Sequence, residues 1–177
     1  VEDTLAEIDR ANDAAFACAA AGPAELLHFC DNLDSGSSTS FFAGYMEEYY
    51  RRRLGQLHAA GKFAAVHLDG TVRGLLPRLA RCGFDAIESV TPAPVGDVEI
   101  EALRAVLDHD RTIIWGGIPG AMFAYPWTGE QIRQHTRRLL TALGGDSRLI
   151  VASADQIPPN GDVAFCRSIA EVVEQYG

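Results

Sequence analysis

The sequence predicts an α/β protein built on a parallel sheet. Three observations carry this: five short apolar runs, a helical pattern after each of them, and polar groups at the end of every run. Strands separated by helices cannot pair as hairpins, so they pair in parallel through crossover connections. The runs are apolar throughout, as expected of strands covered on both faces.

Residues 2–21 carry Leu5, Ile8, Ala15, Phe16 and Ala19 at helical spacing, and Gly22-Pro23 stops them. "AELLHFCDN" reads as a short buried strand ending at Asp31 and Asn32. In the loop "LDSGSSTS", Ser38, Thr39 or Ser40 is expected to cap the next helix, "FFAGYMEEYYRRRLGQLHAAG", with Gly61 at its C′ position. The second strand lies in "GKFAAVHLDG": it is apolar from Phe63 to Val66 and ends in His67 and Asp69. "TVRGLLPRLARCG" is helical, with a kink expected at Pro77 and a stop at Gly83. "FDAIESV" is a strand, "TPAPVGD" a turn and "VEIEALRAVLD" a helix, after which "RTIIWGGIPG" is a strand that breaks into glycines. Thr128 and Gly144 bracket the next helix, "SRLIVASADQIPP" is the last strand and loop, and "GDVAFCRSIAEVVEQYG" is the last helix. Two architectures fit, an open doubly wound sheet or part of a (β/α)8 barrel. No Gly-rich phosphate loop follows the first strand, which weakens the former. A whole barrel takes about 250 residues, so five units would be a partial one.

Composition bounds the function. With 177 residues, 47% hydrophobic and 22% charged, the chain fits one domain with a core and is too short for two. A formal net charge of −9 argues against a nucleic-acid surface, which needs clustered Lys and Arg. The run Arg51-Arg52-Arg53 reads as a solvated helix face. No stretch approaches the roughly 20 apolar residues of a membrane span, so no membrane partner is expected. The acidic N-terminus is unlike a signal peptide, and a start at Val1 fits a processed or truncated piece. Cys18, Cys30, Cys82 and Cys166 form no CxxC pair and read as buried or half-buried thiols of a cytoplasmic protein.

Ligands of parallel α/β proteins bind at the carboxyl ends of the strands. Those ends supply Asp31 and Asn32, then His67 and Asp69, then Glu88, then Trp115 with Gly116 and Gly117, then Ser153 and Asp155. His67 and Asp69, two apart on a strand, share a face. One imidazole and four carboxylates on one rim suit a divalent cation, with a nitrogen from His67 and oxygens from Asp31, Asp69 and Asp155. Such a set suits zinc, iron, manganese or cobalt. A cation would also relieve the mutual repulsion of the carboxylates. General acid–base work by the carboxylates alone is the other chemistry. Among the remaining residues His58 reads as structural, at a helix C-terminus. His109 reads as solvated, His135 as lying on the polar side of its helix, and His28 as a satisfied core histidine. Tyr45, Tyr49 and Tyr50 read as packing, whereas Tyr125 and Trp127 lie in a loop above the rim, where they can touch substrate.

At these residues the sequence resembles the C-terminal part of the uroporphyrinogen decarboxylase superfamily, which also contains zinc-dependent methyltransferases acting between corrinoid proteins and thiols. The likeness runs through "AELLHFCDN", "YMEEYYRRRLGQLHAAGKFAAVHLDG", "GFDAIESVTPAPVGD", "IIWGGIPG" and "IVASADQIPP". It implies a (β/α)8 TIM-barrel type of fold, with residues 1–177 forming a single partial-barrel domain of about five C-terminal β/α units. The methyltransferases hold zinc with His-x-Cys on the second of these strands and a Cys before the final Ile-Pro. Carried over, these positions are His67, Asp69 and Asp155, with aspartates replacing both cysteines. In the decarboxylases a His stands at the position of Asp155. The resemblance thus implies a metal-dependent enzyme of methyl transfer, or of related C1 or lyase chemistry, on a small-molecule or corrinoid-protein substrate. The expected cofactors are a divalent metal, zinc first, and a corrinoid on a partner protein. Asp31 and Glu88 are the expected catalytic groups, and Asn32, Trp115, Gly117, Tyr125 and Trp127 the expected substrate contacts. The alternatives are uroporphyrinogen decarboxylation itself and a non-catalytic tetrapyrrole- or corrinoid-binding domain. A five-strand piece leaves edges at "ELLHFC" and "RLIVAS", so a homodimer, or association with a missing N-terminal part, is expected.

Overall fold

Five strands lie side by side in the order in which the chain makes them, every neighbouring pair parallel. The computed structural model describes residues 1–108, 111–145 and 147–176; the solvated His109 of the sequence reading lies outside them. Helix α1 (Glu2–Ala21) precedes strand β1 (Leu26–Leu33). The first crossover is made by α2 (Ser35–Phe41), a π-helical turn (Phe42–Met46) and α3 (Glu47–Ala59), leading to β2 (Phe63–Leu68). Then follow α4 (Leu76–Cys82), β3 (Ala86–Val90), α5 (Leu103–Leu107), β4 (Ile113–Pro119), α6 (Gly129–Leu143), β5 (Leu149–Ala154) and α7 (Phe165–Tyr176). A doubly wound sheet reverses its strand order at a switch point. This sheet does not, and its sequential order is that of consecutive units of a (β/α)8 barrel.

The core lies between the sheet and the helices. Ala64, Val66, Leu68, Ile87 and Ile114 are fully buried there, against Leu54, Leu79, Leu103 and Leu139. Each large apolar side chain so covered contributes about 1.5–3 kcal/mol. Alternation sends the intervening residues to the other face. The register pairs Ala65 with Ala86, His67 with Glu88 and Ala86 with Ile113, so these residues share that second face.

Local signals explain most of the element ends. Asp34, rather than the later serines, caps α2, accepting from Gly36 N at 2.7 Å and Ser37 N at 3.0 Å. The helix therefore starts sooner after β1 than the Ser/Thr run suggests. Pro77 falls in the first turn of α4, where its missing N–H costs nothing, so it begins a helix instead of kinking one. Thr128 and Gln131 close a capping box on α6. Gly61, at φ 73°, follows the C-cap Ala60 of α3.

Two compositional expectations are corrected. Of the cysteines only Cys82 is buried, and that burial pushes its thiol up to about 11; the other three are exposed. The arginine run is not wholly solvated either. Arg53 is 1% exposed, with Nη2 2.6 Å from Asp9 Oδ1 and Nη1 2.8 Å from Asp13 Oδ1. Its guanidinium lies 4.6 Å from the Phe16 ring centroid. Helix α1 has no fully buried residue of its own. Arg53 and Arg52, both paired with Asp9, fasten α1 to α3 together with the Phe16–Tyr49 ring contact and a hydrogen bond from Asn12 Nδ2 to Tyr49 Oη at 3.2 Å.

Asp9→Ala should therefore cost about 3 kcal/mol, the low end for stranding a buried charge, because Asp13 remains. Arg53→Met keeps the apolar stem, strands no buried cation and should cost less. Urea unfolding that ranks the two the other way would refute this account. The Arg52 guanidinium, then Arg53, holds Asp9 below the ordinary carboxylate range. Its contribution is thus full above about pH 4 and lost as pH falls through the lower folded value.

The outer edges of β1 and β5 pair with no other strand among the described residues. Unpaired backbone groups on apolar edges recruit further strands. Residues 1–177 alone are predicted to self-associate, with light-scattering mass rising over a concentration series. A monodisperse monomer at every concentration would mean that these edges are self-sufficient.

Candidate functional site

Phe29 of β1 packs against Phe16, Tyr50 and Phe84 on the helix side. Its neighbours His28 and Cys30 consequently face the other way, onto the face that carries His67, Glu88 and Trp115. The His28 ring lies 6.4 Å from that of His67 and 6.5 Å from that of Trp115.

Glu88 joins the two histidines. Its Oε2 accepts a hydrogen bond from His67 Nδ1 at 2.5 Å and lies 3.5 Å from His28 Nε2. One ligating atom from each of His28, His67 and Glu88 falls within 4.8 Å of the other two. The side chains of His67 and Glu88 are 16% and 18% exposed and that of His28 39%, so the group is half-sheltered and opens past His28. On its far edge His28 Nδ1 is 3.4 Å from Cys30 Sγ.

The backbone around this group is bent. Ser89, fully buried, sits at φ 66°, a conformation that non-glycine residues rarely adopt. The β3–β4 ladder slips between Ile87 and Val90. Gly116, at φ 135°, meets the kink: a Cβ there would stand 2.9 Å from Val90 N, so only glycine fits. Likewise the β1–β2 ladder slips between Phe29 and Leu33, across Asn32 at φ 52°. Regular pairing thus ends just past His28 on β1 and just past Glu88 on β3.

Of the residues that the sequence singled out, the structure brings His67 and Glu88 together and sets Trp115 on the same face. Asp69 lies one residue beyond β2, where its Oδ1 accepts from Gly70 N at 2.6 Å. Asp155 lies beyond β5, exposed, at φ 62°. Neither joins the cluster of His28, His67 and Glu88. Asp31 points to the helix side, accepting from Tyr50 Oη at 2.6 Å beside a cavity of about 600 Å³ between α1 and the π-helical turn. Burial and that hydrogen bond raise the Tyr50 phenol far above its ordinary range. Asn32 is exposed. Gly117 sits at φ 89°, a backbone that side-chain-bearing residues rarely adopt, and a Cβ there would come 2.5 Å from the Leu139 side chain. The Gly117 carbonyl accepts from His135 Nε2 at 2.7 Å. His135 is therefore buried, not on a polar side, and burial pushes it below the ordinary imidazole range. Tyr125 is 93% exposed, whereas Trp127 is partly buried against the core.

His28 is the member that the sequence reading missed. Its neighbours Leu27 and Phe29 made "LLHFC" look like continuous core. The available signal was parity: His28 and Cys30, two apart, share the face of the strand opposite Leu27 and Phe29.

The comparisons with known proteins agree with this architecture. Residues 9–176 match the sequence profile of the uroporphyrinogen decarboxylase (URO-D) family. No functionally curated protein matches the chain. Among solved structures, a methyltransferase from Methanosarcina mazei is similar, with a TM-score of 0.68 at 17% identity. The match covers 87% of this chain and 43% of that one, so the chain spans less than half the length of that structure. At that identity the likeness shows the shared fold. Among the described residues no helix is long and apolar enough to cross a membrane. The profile match takes in all five strands and the helices between them, and on that ground the chain belongs to the uroporphyrinogen decarboxylase family.

Proposed function

We propose that this chain carries the cation centre of a metal-dependent enzyme of the uroporphyrinogen decarboxylase superfamily. Its chemistry is methyl transfer, or related C1 or lyase chemistry, on a small or corrinoid-linked substrate. The observation that supports this reading is the convergence of His28, His67 and Glu88 from three consecutive strands. Two imidazoles and one carboxylate are a donor set of catalytic zinc sites, where three protein ligands leave a fourth position for water or substrate. The residues present therefore fit a divalent ion, zinc first, held by His28, His67 and Glu88. When bound, such an ion polarises a substrate oxygen or lowers the pKa of a bound thiol.

The chain's own groups do the rest. Glu88 fixes the ring of His67 through Nδ1, and Trp115 stands beside His28, its ring 6.5 Å from the imidazole. The more exposed His28 edge is where a substrate, or a corrinoid held by a partner protein, has access. The family's methyltransferases suggest that class of substrate.

A second reading rests on the short contact between Glu88 and His67. A carboxylate–imidazole pair can hold and pass a proton without any ion, as decarboxylation or another lyase step requires.

The purified protein should retain about one divalent ion. His28→Ala, His67→Ala and Glu88→Gln should each weaken zinc binding by more than about tenfold, because each removes a ligand. Asp69→Asn and Asp155→Asn should change it by less than about threefold, since neither carboxylate reaches the group. Loss of zinc in the two aspartate variants, with His28→Ala unaffected, would instead establish His67, Asp69 and Asp155 as the ligands. A protein that binds no ion, and whose stability and activity ignore chelators, leaves the acid–base reading.

A further inference from the structure

We propose that Cys30 is a positioning residue for His28: its sulfur fixes the tautomer in which Nδ1 carries the proton and Nε2 offers its lone pair to the cation centre. This rests on the cation-centre reading and says how one of its ligands is prepared.

An imidazole can give a lone pair to a cation only from the nitrogen that carries no proton. The hydrogen bond made by the other nitrogen decides which one that is. In His28 the two nitrogens face different groups. Nε2 looks across 3.5 Å to Glu88 Oε2, and Nδ1 looks across 3.4 Å to Cys30 Sγ. A thiol is both a weak donor and a weak acceptor. The S–H of Cys30 has a second partner within reach, the backbone carbonyl of His28 at 3.9 Å. With the S–H turned to that carbonyl, the sulfur presents a lone pair toward Nδ1, and Nδ1 supplies the proton.

The consequence falls on the other edge of the ring. With Nδ1 protonated, a neutral His28 has an unprotonated Nε2 facing a carboxylate oxygen, two electron-rich atoms with nothing between them. That pair repels unless a positive group bridges it, which is the electrostatic demand of a cation site. His67 meets the same Oε2 differently, as a donor through Nδ1 at 2.5 Å. The two histidines are thus unequal: His67 anchors Glu88, and His28 holds a free lone pair in readiness. Cys30 itself is not a ligand in this arrangement. Its sulfur lies at the Nδ1 edge, away from Glu88, and does not belong to the ligating group.

Zinc and cobalt(II) titrations of the purified protein test this, together with thermal melts of each metal-free variant. Cys30→Ala should weaken zinc binding by about 10–100-fold, the usual loss on removing a ligand's hydrogen-bond partner, with the melting temperature of the metal-free protein nearly unchanged. Cys30→Ser should recover most of the affinity, because a hydroxyl oxygen also accepts from Nδ1. Adding Cys30→Ala to His28→Ala should cost nothing further, since Cys30 acts only through that ring. Unchanged affinity in Cys30→Ala, or additive losses in the double variant, would overturn the inference and leave the cation centre standing. So would a thiolate-to-cobalt charge-transfer band that disappears in Cys30→Ser, which would make Cys30 a ligand. If the unmodified protein binds neither ion, the cation centre falls, and this inference with it.

Discussion

The alternation of side chains across a parallel sheet is the constraint on which the rest of this structure depends. Val66 and His67 are consecutive, yet one is sealed in the core and the other faces Glu88 across the ladder. A slip of one residue in β2 would drive an imidazole among Leu54, Leu79 and Ile87 and expose Val66 and Leu68. Losing the cover of those two side chains alone costs several kcal/mol, before any charge is buried. Hydrophobic burial on the helix face therefore sets the register, and the register sets the site. The side chains of the His28–His67–Glu88 group need contribute little to folding, because their placement follows from that of their apolar neighbours.

Regularity is given up where the site begins. On β3 the ladder holds through Ile87 and breaks over Ser89, whose left-handed backbone is accommodated only because Gly116 opposite has no side chain. On β1 it holds through Phe29 and breaks over Asn32. Backbone held in such conformations costs on the order of 1–3 kcal/mol per residue and persists only where the surroundings impose it. In both strands the break lies just beyond a member of the His28–His67–Glu88 group. The sheet thus delivers those side chains from its last regular rungs and bends away after them.

This division explains what the sequence could and could not tell. The strand–helix order was readable because each strand is a compact apolar run and each long helix has its own stop. His67 and Glu88 were readable because each follows such a run, in a strand that pairs on both sides. His28 was not, since β1 is an edge strand whose apolar partners all lie on one face, and a list of residues does not show which face is covered. Arg53 was misread for a related reason. A basic run on a helix is normally solvated, and only the tertiary placement of α1, which sets the carboxylates of Asp9 and Asp13 against it, makes burial of a guanidinium tolerable. His135 likewise looked polar in its helix and is buried because the kinked end of β4 presents it with the Gly117 carbonyl.

The group's position in the sheet gives the proposed cation a structural as well as a chemical consequence. Among the described residues His28 lies on β1, which pairs with β2 alone, while His67 and Glu88 lie on β2 and β3. An ion held by all three would tie the edge to the sheet's interior across two ladders. Edge elements are the first to open in local unfolding, and opening β1 would separate His28 from the other two ligands. Ion binding and closure of β1 would then be linked: at a free concentration of 100 times its dissociation constant, the ion would favour the closed strand by about 2.7 kcal/mol. A ligand set spread over consecutive strands would thus pin β1, which among the described residues the backbone ladder holds from one side.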